Sequence, residues 1–178
     1  MKKIGVVYFL AFFCSLFLFT GCKEKEIDFH NPDVKVFVKQ LKAGKYKTLS
    51  PEGFVEVPKF KEEDIPKLLK YADDLTIIPT FPLPPVSSYV AGGTIRLGES
   101  LLWIVEYIRL GHYPSLGCKM VRANADDYEG IYFLTDEEVL DAVAHYRRWW
   151  ETRSETKSYW TIDPCFDDPL CGSGYRWW

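Results

Sequence analysis

Apolar residues recur at helical spacing in the segment that opens with His30-Asn31-Pro32-Asp33: Val34, Phe37, Val38 and Leu41 fall on one face, and Gly44 ends the run. Asn31 suits an N-cap, Pro32 the first helical position and Asp33 the positive end of the helix dipole, so a helix is expected over Pro32–Ala43. Lys45 to Lys61 reads as a loop with a short strand at Phe54–Val57. A second helix is expected over Glu62–Tyr71, with Pro66 in its first turn and Ile65, Leu68 and Leu69 as its apolar face; Asp73 and Asp74 end it. Ile95 to Leu110 is the most apolar stretch of the body, with Leu101-Leu102-Trp103-Ile104-Val105 followed by Tyr107-Ile108. Its length favours a central helix buried on most sides, with a strand at Leu101–Val105 as the alternative. Thr135-Asp136-Glu137-Glu138 forms a capping box, and Val139, Val143, Tyr146 and Trp150 follow on one face, predicting a helix from Asp136 to about Arg153.

The segments between these elements carry turn chemistry. Thr76 to Gly93 holds Pro79, Pro82, Pro84, Pro85, Gly92 and Gly93, a density that prevents a long regular element, while Ile77, Ile78, Phe81 and Val86 make it a loop packed on the body. The chain reads as irregular from His112 to Thr135 and again from Ser154 onward. The expected fold is therefore mainly α: a single compact helical domain with long aromatic and Pro-rich loops, helix pairing of the HEAT type being one arrangement open to it.

The N-terminus has a different pattern. Lys2 and Lys3 precede sixteen residues, Ile4 to Phe19, that are apolar apart from Gly5 and Ser15. A basic end before such a run reads as a secretory signal, and the run is short for a bilayer span of about 20 residues. Phe19-Thr20-Gly21-Cys22 resembles the bacterial lipobox, with Phe19 where Leu is usual. That resemblance implies lipidation of Cys22, and acyl chains there would hold the protein at a membrane. The organisation expected is a signal peptide over residues 1–21, the lipidated cysteine with a charged tether (Lys23-Glu24-Lys25-Glu26) over 22–29, and one domain over 30–178. Loss of residues 1–21 removes two lysines and no acids, taking the net charge from −3 to about −5. No basic footprint points to nucleic acid.

The candidate chemistry is sparse. Of five cysteines, Cys118, Cys165 and Cys171 remain in the body; Cys165 and Cys171 enclose a five-residue turn that a disulfide would stiffen, although either could pair with Cys118 instead. Zinc on these cysteines with His112 lacks the close paired spacing of such sites. Cys118 with His112 or His145 would make a thiol–imidazole pair, but no local pattern supports it. Asp163, Asp167 and Asp168 do not follow the calcium-loop spacing and read as a solvated turn. Arg96, Glu99, Glu106 and Arg109 fall along one helical stripe. Two carboxylates on an apolar helix suit an acid–base pair, yet each has an Arg three residues away, and charge pairing alone accounts for all four. No nucleophile elbow, Walker loop, zinc-protease helix or dinucleotide fingerprint is present, so no enzyme, metal or cofactor is expected.

Aromatic residues are 16% of the chain and crowd its last thirty positions: Trp149-Trp150, Tyr159-Trp160 and Tyr175-Arg176-Trp177-Trp178. Adjacent helical residues point about 100° apart, so Trp149 and Trp150 cannot both face one core. One of them is exposed or covered by the tail; Trp149, Trp150, Trp177 and Trp178 are the candidate ligand-binding residues, or the tail folds back and its Trp residues fill the groove beside the last helix.

Taken together, the lipobox, Asn31-Pro32-Asp33-Val34, Glu63-Asp64-Ile65-Pro66-x-Leu68-Leu69 and Leu102-Trp103-Ile104-Val105-Glu106 resemble small Bacteroidetes-type lipoproteins of unknown function. The resemblance implies an envelope location and a helical domain, and supplies no activity; the membrane expected for the anchor is the outer membrane. The expected function is that of a lipid-anchored, non-enzymatic envelope protein that binds a protein partner or serves as an accessory subunit. The alternative is a glycan-binding surface lipoprotein using exposed Trp residues.

Overall fold

Four helices and four very short strands alternate along the chain in the computed structural model, which describes residues 25–84, 94–123, 132–155, 165 and 167–178. The order is α1 (Val34–Lys42), a 3-10 turn (Glu62–Asp64) running into α2 (Ile65–Leu69), β1 (Ile77–Ile78), β2 (Ile95–Arg96), α3 (Leu97–Leu110), β3 (Met120–Arg122), α4 (Asp136–Glu155) and β4 (Tyr175–Trp177). The expected signal, Cys22 and residues 1–24 lie outside the described residues. Among the described residues no helix is long and apolar enough to cross a membrane.

The helices form close to where periodicity places them, with local corrections. Asp33, not Asn31, caps α1: its carboxylate accepts from Lys35 N (3.0 Å) and Val36 N (3.2 Å), while Asn31 N donates to Asp28. Pro32 thus precedes the helix. The capping box of α4 forms, with Thr135 N donating to Glu138 (2.9 Å) and Glu138 N to the Thr135 hydroxyl (3.3 Å). Phe54–Val57 is not a strand; a single bridge joins Leu49 to Val55. Ile95 and Arg96 belong to β2, and Leu101–Val105 is helical.

The mainly helical expectation is corrected. Among the described residues two antiparallel two-stranded sheets, β1–β2 and β3–β4, accompany the helices, and the fold is a small mixed α/β one. Nor does HEAT-type pairing organise it, since the five residues of α2 are too few for such a pair. The reason lies in strand length. Two or three residues cannot display an alternating pattern, and Met120 pairs with Trp177, Val121 with Arg176 and Arg122 with Tyr175 across a large sequence separation.

α3 is the centre of the core. Every residue from Leu97 to Glu106 is buried, and the helix touches α1, α2 and α4. Its start is capped by backbone, with no capping side chain: Leu97 N donates to Thr76 O (2.9 Å) and Gly98 N to Asp74 O (2.8 Å). That approach leaves no room at Gly98, where a Cβ would sit 1.9 Å from the Ala72 carbonyl oxygen. At the far end Gly111 takes a left-handed conformation (φ +73°) and its N–H bonds Tyr107 O. Arg147 of α4 donates to Leu69 O through Nε and Nη2, closing the end of α2.

Gly98→Ala is therefore expected to lower stability by at least about 2 kcal/mol. Gly53→Ala, at a positive φ with open space around it, should cost about 1 kcal/mol. Urea denaturation of the two variants measures the difference; equal losses would refute the close contact.

Candidate functional site

The two carboxylates of the predicted stripe are the most deeply buried charges among the described residues, with Glu99 0% and Glu106 1% exposed. Each pairs with the arginine three residues away, Glu99 with Arg96 at 3.5 Å and Glu106 with Arg109 at 2.7 Å. Their remaining partners come from distant elements. Glu99 Oε1 accepts from Met120 N of β3 at 2.7 Å, and its Oε2 lies 3.5 Å from the buried Lys119 ammonium. Glu106 Oε1 accepts from the Tyr146 hydroxyl of α4 at 2.5 Å, and that hydroxyl accepts from Trp177 Nε1 of β4 at 3.0 Å. Arg109 also donates to Asp167 O at 2.6 Å. Burial pushes the Glu106 carboxyl above the usual range against the pull of Tyr146 and Arg109. The same burial and the Glu106 charge push the Tyr146 phenol well up. Both carboxylates are shut off from solvent; Glu106 is bonded through both oxygens, while Glu99 Oε2 has ion-pair neighbours at 3.5 Å and no hydrogen bond. Charge pairing accounts for the placement of all four stripe residues.

Cys118 is a free thiol, fully buried and in a left-handed backbone conformation (φ 51°). Burial, then the Glu99 charge, push its pKa well above the ordinary value, so it is a poor nucleophile. Among the described residues neither His112 nor His145 bonds to it; His112 is exposed and bonds Tyr113 O. Cys165 and Cys171 are joined by a disulfide. Asp163 lies outside the described residues. Asp167 faces Arg109 and Arg153, and the Asp168 side chain accepts from Leu170 N. Among the described residues no group of three or more His, Cys, Asp or Glu side chains is placed to hold a metal ion.

The four candidate Trp residues separate. Trp149 is 6% exposed and packs on Tyr146. Trp177 is half-buried, packed on the core and bonded to Tyr146. Trp178 is half-buried with its ring edge toward Phe133. Trp150 is half-buried, tilted against Trp149, and lines a cleft of about 210 Å³ with Pro66, Leu69, Lys70, Arg147 and Glu151. Lys70 also lines a second cleft of about 380 Å³, opposite Asp33, Lys35, Lys67 and Tyr71. Lys67 is held by Asp64 (2.8 Å) and Arg147 by Asp73 (3.3 Å), whereas Lys35 and Lys70 have no ion-pair partner among the described residues. The two clefts flank α2, floored by aliphatic side chains and rimmed by one aromatic ring each. Sequence reading missed them because Lys70 and Tyr71 read there as the end of a helix; their use depends on how α1 and α4 pack beside it.

The buried network yields a pH-dependent expectation. A carboxyl whose folded-state pKa is raised contributes most stability below the ordinary glutamate range and less as pH rises through the folded value. Glu106→Gln removes that titration, so the stability gap between wild type and variant should narrow from about pH 4 to pH 8. Glu106→Ala, which leaves Arg109 and Tyr146 without their partner, should cost about 3–5 kcal/mol. Denaturant titrations across pH measure both, and a gap that widens with pH would contradict the assignment.

No curated protein and no solved structure matches the chain. One family model does, over residues 28–178, which include α1 through β4, the buried carboxylates and both clefts. The chain belongs to the family described as Domain of unknown function (DUF4943).

Proposed function

We propose that the chain is a lipid-anchored protein of the bacterial envelope, acylated on Cys22, whose body is a non-enzymatic binding module acting as an accessory subunit. The Lys2-Lys3 start, the apolar run and Thr20-Gly21-Cys22 support the anchor. The Cys165–Cys171 disulfide supports an exported, oxidising location. The observation that carries the binding reading is the pair of clefts about α2, where Trp150 and Lys70 combine an apolar ring with an unpaired cation. A half-buried Trp beside a basic residue is the composition of an interface anchor. The partner that fits is a protein segment with an apolar side chain for the Trp150 cleft and an acidic group for Lys70.

The same ring favours a second reading, a glycan stacked on Trp150 with Arg147 and Glu151 as polar neighbours. It has fewer aromatic platforms than the sequence offers, because Trp149 and Trp177 are taken up by the core.

Cys22→Ala is expected to leave the protein unprocessed or release it from the membrane fraction; an unchanged mature membrane form would sink the anchor. Crosslinking of the tagged full-length protein in its native envelope should recover a stoichiometric partner. Trp150→Ala should weaken that partner by about 30-fold, while the variant still melts cooperatively with a modest loss of stability from the ring packed on Trp149. Recovery of no protein, together with Trp quenching by oligosaccharides that Trp150→Ala removes, would favour the glycan reading.

A further inference from the structure

The chain is fixed in place very soon after Cys22. Lys25 O accepts from Gln40 Nε2 of α1 at 3.0 Å, the Lys25 ammonium pairs with Asp33 at 2.9 Å, and Ile27 is buried in the core. Phe29 O accepts from Lys59 N at 2.8 Å. What reads in the sequence as a free tether over 22–29 is thus part of the fold from Lys25 onward. Two residues, Lys23 and Glu24, separate Lys25 from Cys22, and the three steps between them reach at most about 11 Å when fully extended. A lipid on Cys22 therefore draws the body down onto the bilayer, without a stalk to hold it away.

The segment that Lys59 joins to Phe29 carries an exposed apolar tip. A bridge between Leu49 and Val55 closes it, with Ser50 N donating to Phe54 O (2.8 Å) and Gly53 N to Ser50 O (2.9 Å). These bonds hold Phe54, Leu49 and Val55 in solvent, 61%, 55% and 45% exposed. The Lys59–Phe29 bond sets the base of this tip, whose turn carries Glu52, beside the N-terminal segment. Lys45, Lys47 and Lys59 flank the tip. Large exposed apolar side chains with basic flanks, held rigidly beside a membrane attachment point, have the composition of an interfacial anchor.

We infer that the tip formed by Leu49, Phe54 and Val55 rests in the outer part of the bilayer that holds the lipidated Cys22, so that the domain lies on the membrane in one orientation. This rests on the reading of Cys22 as the acyl acceptor.

Lipidated full-length protein carrying Phe54→Cys, labelled there with an environment-sensitive NBD group, tests it in vesicles of phosphatidylethanolamine and phosphatidylglycerol that contain headgroup-proximal spin-labelled lipid. In the lipidated mature chain Cys14 has left with the signal peptide and the Cys22 sulfur carries lipid, while Cys118 is buried and Cys165 and Cys171 are bonded, so the label has one site. Leu140→Cys on exposed α4 is the comparison position. The expected result is a blue-shifted label at position 54, quenched about twofold or more relative to position 140. Protein that floats with the vesicles while both labels are quenched alike, or neither is, overturns the orientation and leaves the anchor standing. Protein that fails to float overturns the anchor itself. A label at position 54 that shifts in native envelopes but not in protein-free vesicles identifies a protein cover for the tip and also overturns the lipid contact.

Discussion

Two carboxylates buried on one helix set the terms for most of this structure. Glu99 and Glu106 sit on α3 with almost no solvent contact, and a buried charge without partners would cost several kcal/mol. Arginines on the same helix supply one partner each, but every carboxylate oxygen also needs hydrogen-bond donors. Glu99 draws in the backbone of Met120 and the ammonium of Lys119, which brings β3 against the helix. Glu106 draws in Tyr146 and, through it, Trp177, which brings α4 and the C-terminal strand together. The pairing of β3 with β4 then closes a circuit in which segments far apart in sequence share one polar network. A network of this kind ties those segments to one another, although Glu99 Oε2 keeps only ion-pair neighbours and no hydrogen bond.

This arrangement also directs where function can reside. The interior is committed to charge satisfaction and packing, and the tail aromatics are largely spent on it. Among the described residues the surface carries a pair of clefts about α2 and an apolar turn at Leu49, Phe54 and Val55. Each combines large apolar side chains with lysine. The Cys165–Cys171 loop contributes by presenting β4 to β3 and by setting Asp167 against Arg109.

Helices with a wide apolar stripe were legible in the sequence, as Val34, Phe37, Val38 and Leu41 in α1 and the capping box of α4 show. The strands were not, because pairs such as Ile77 with Arg96 and Val121 with Arg176 carry no periodic signal of their own. The tail illustrates the limit well: Tyr175-Arg176-Trp177 reads as irregular until β3 offers it an edge. Gly98 gave no local sign of its role either, since the carbonyl that excludes a Cβ belongs to Ala72, in a different part of the chain. For the candidate site, the pairing of each Glu with an Arg three residues away followed from helical geometry, while the depth of burial and the donors Met120 N, Tyr146 and Trp177 did not. Trp149 and Trp150 had to face different ways by the geometry of a helix, and the structure decides that Trp149 packs in the core and Trp150 borders a cleft.

The sequence by itself determined what depends on neighbours along the chain: helical faces, caps, the three-residue charge pairs, and the export-like pattern ending at Cys22. Those features are set by backbone periodicity and by residues within a turn or two of one another. Tertiary structure alone decided the mixed α/β fold, the partners of the buried carboxylates, the clefts about α2 and the exposure of the Phe54 tip. All of these depend on which distant surfaces meet, and burial and hydrogen-bond satisfaction are properties of the packed whole.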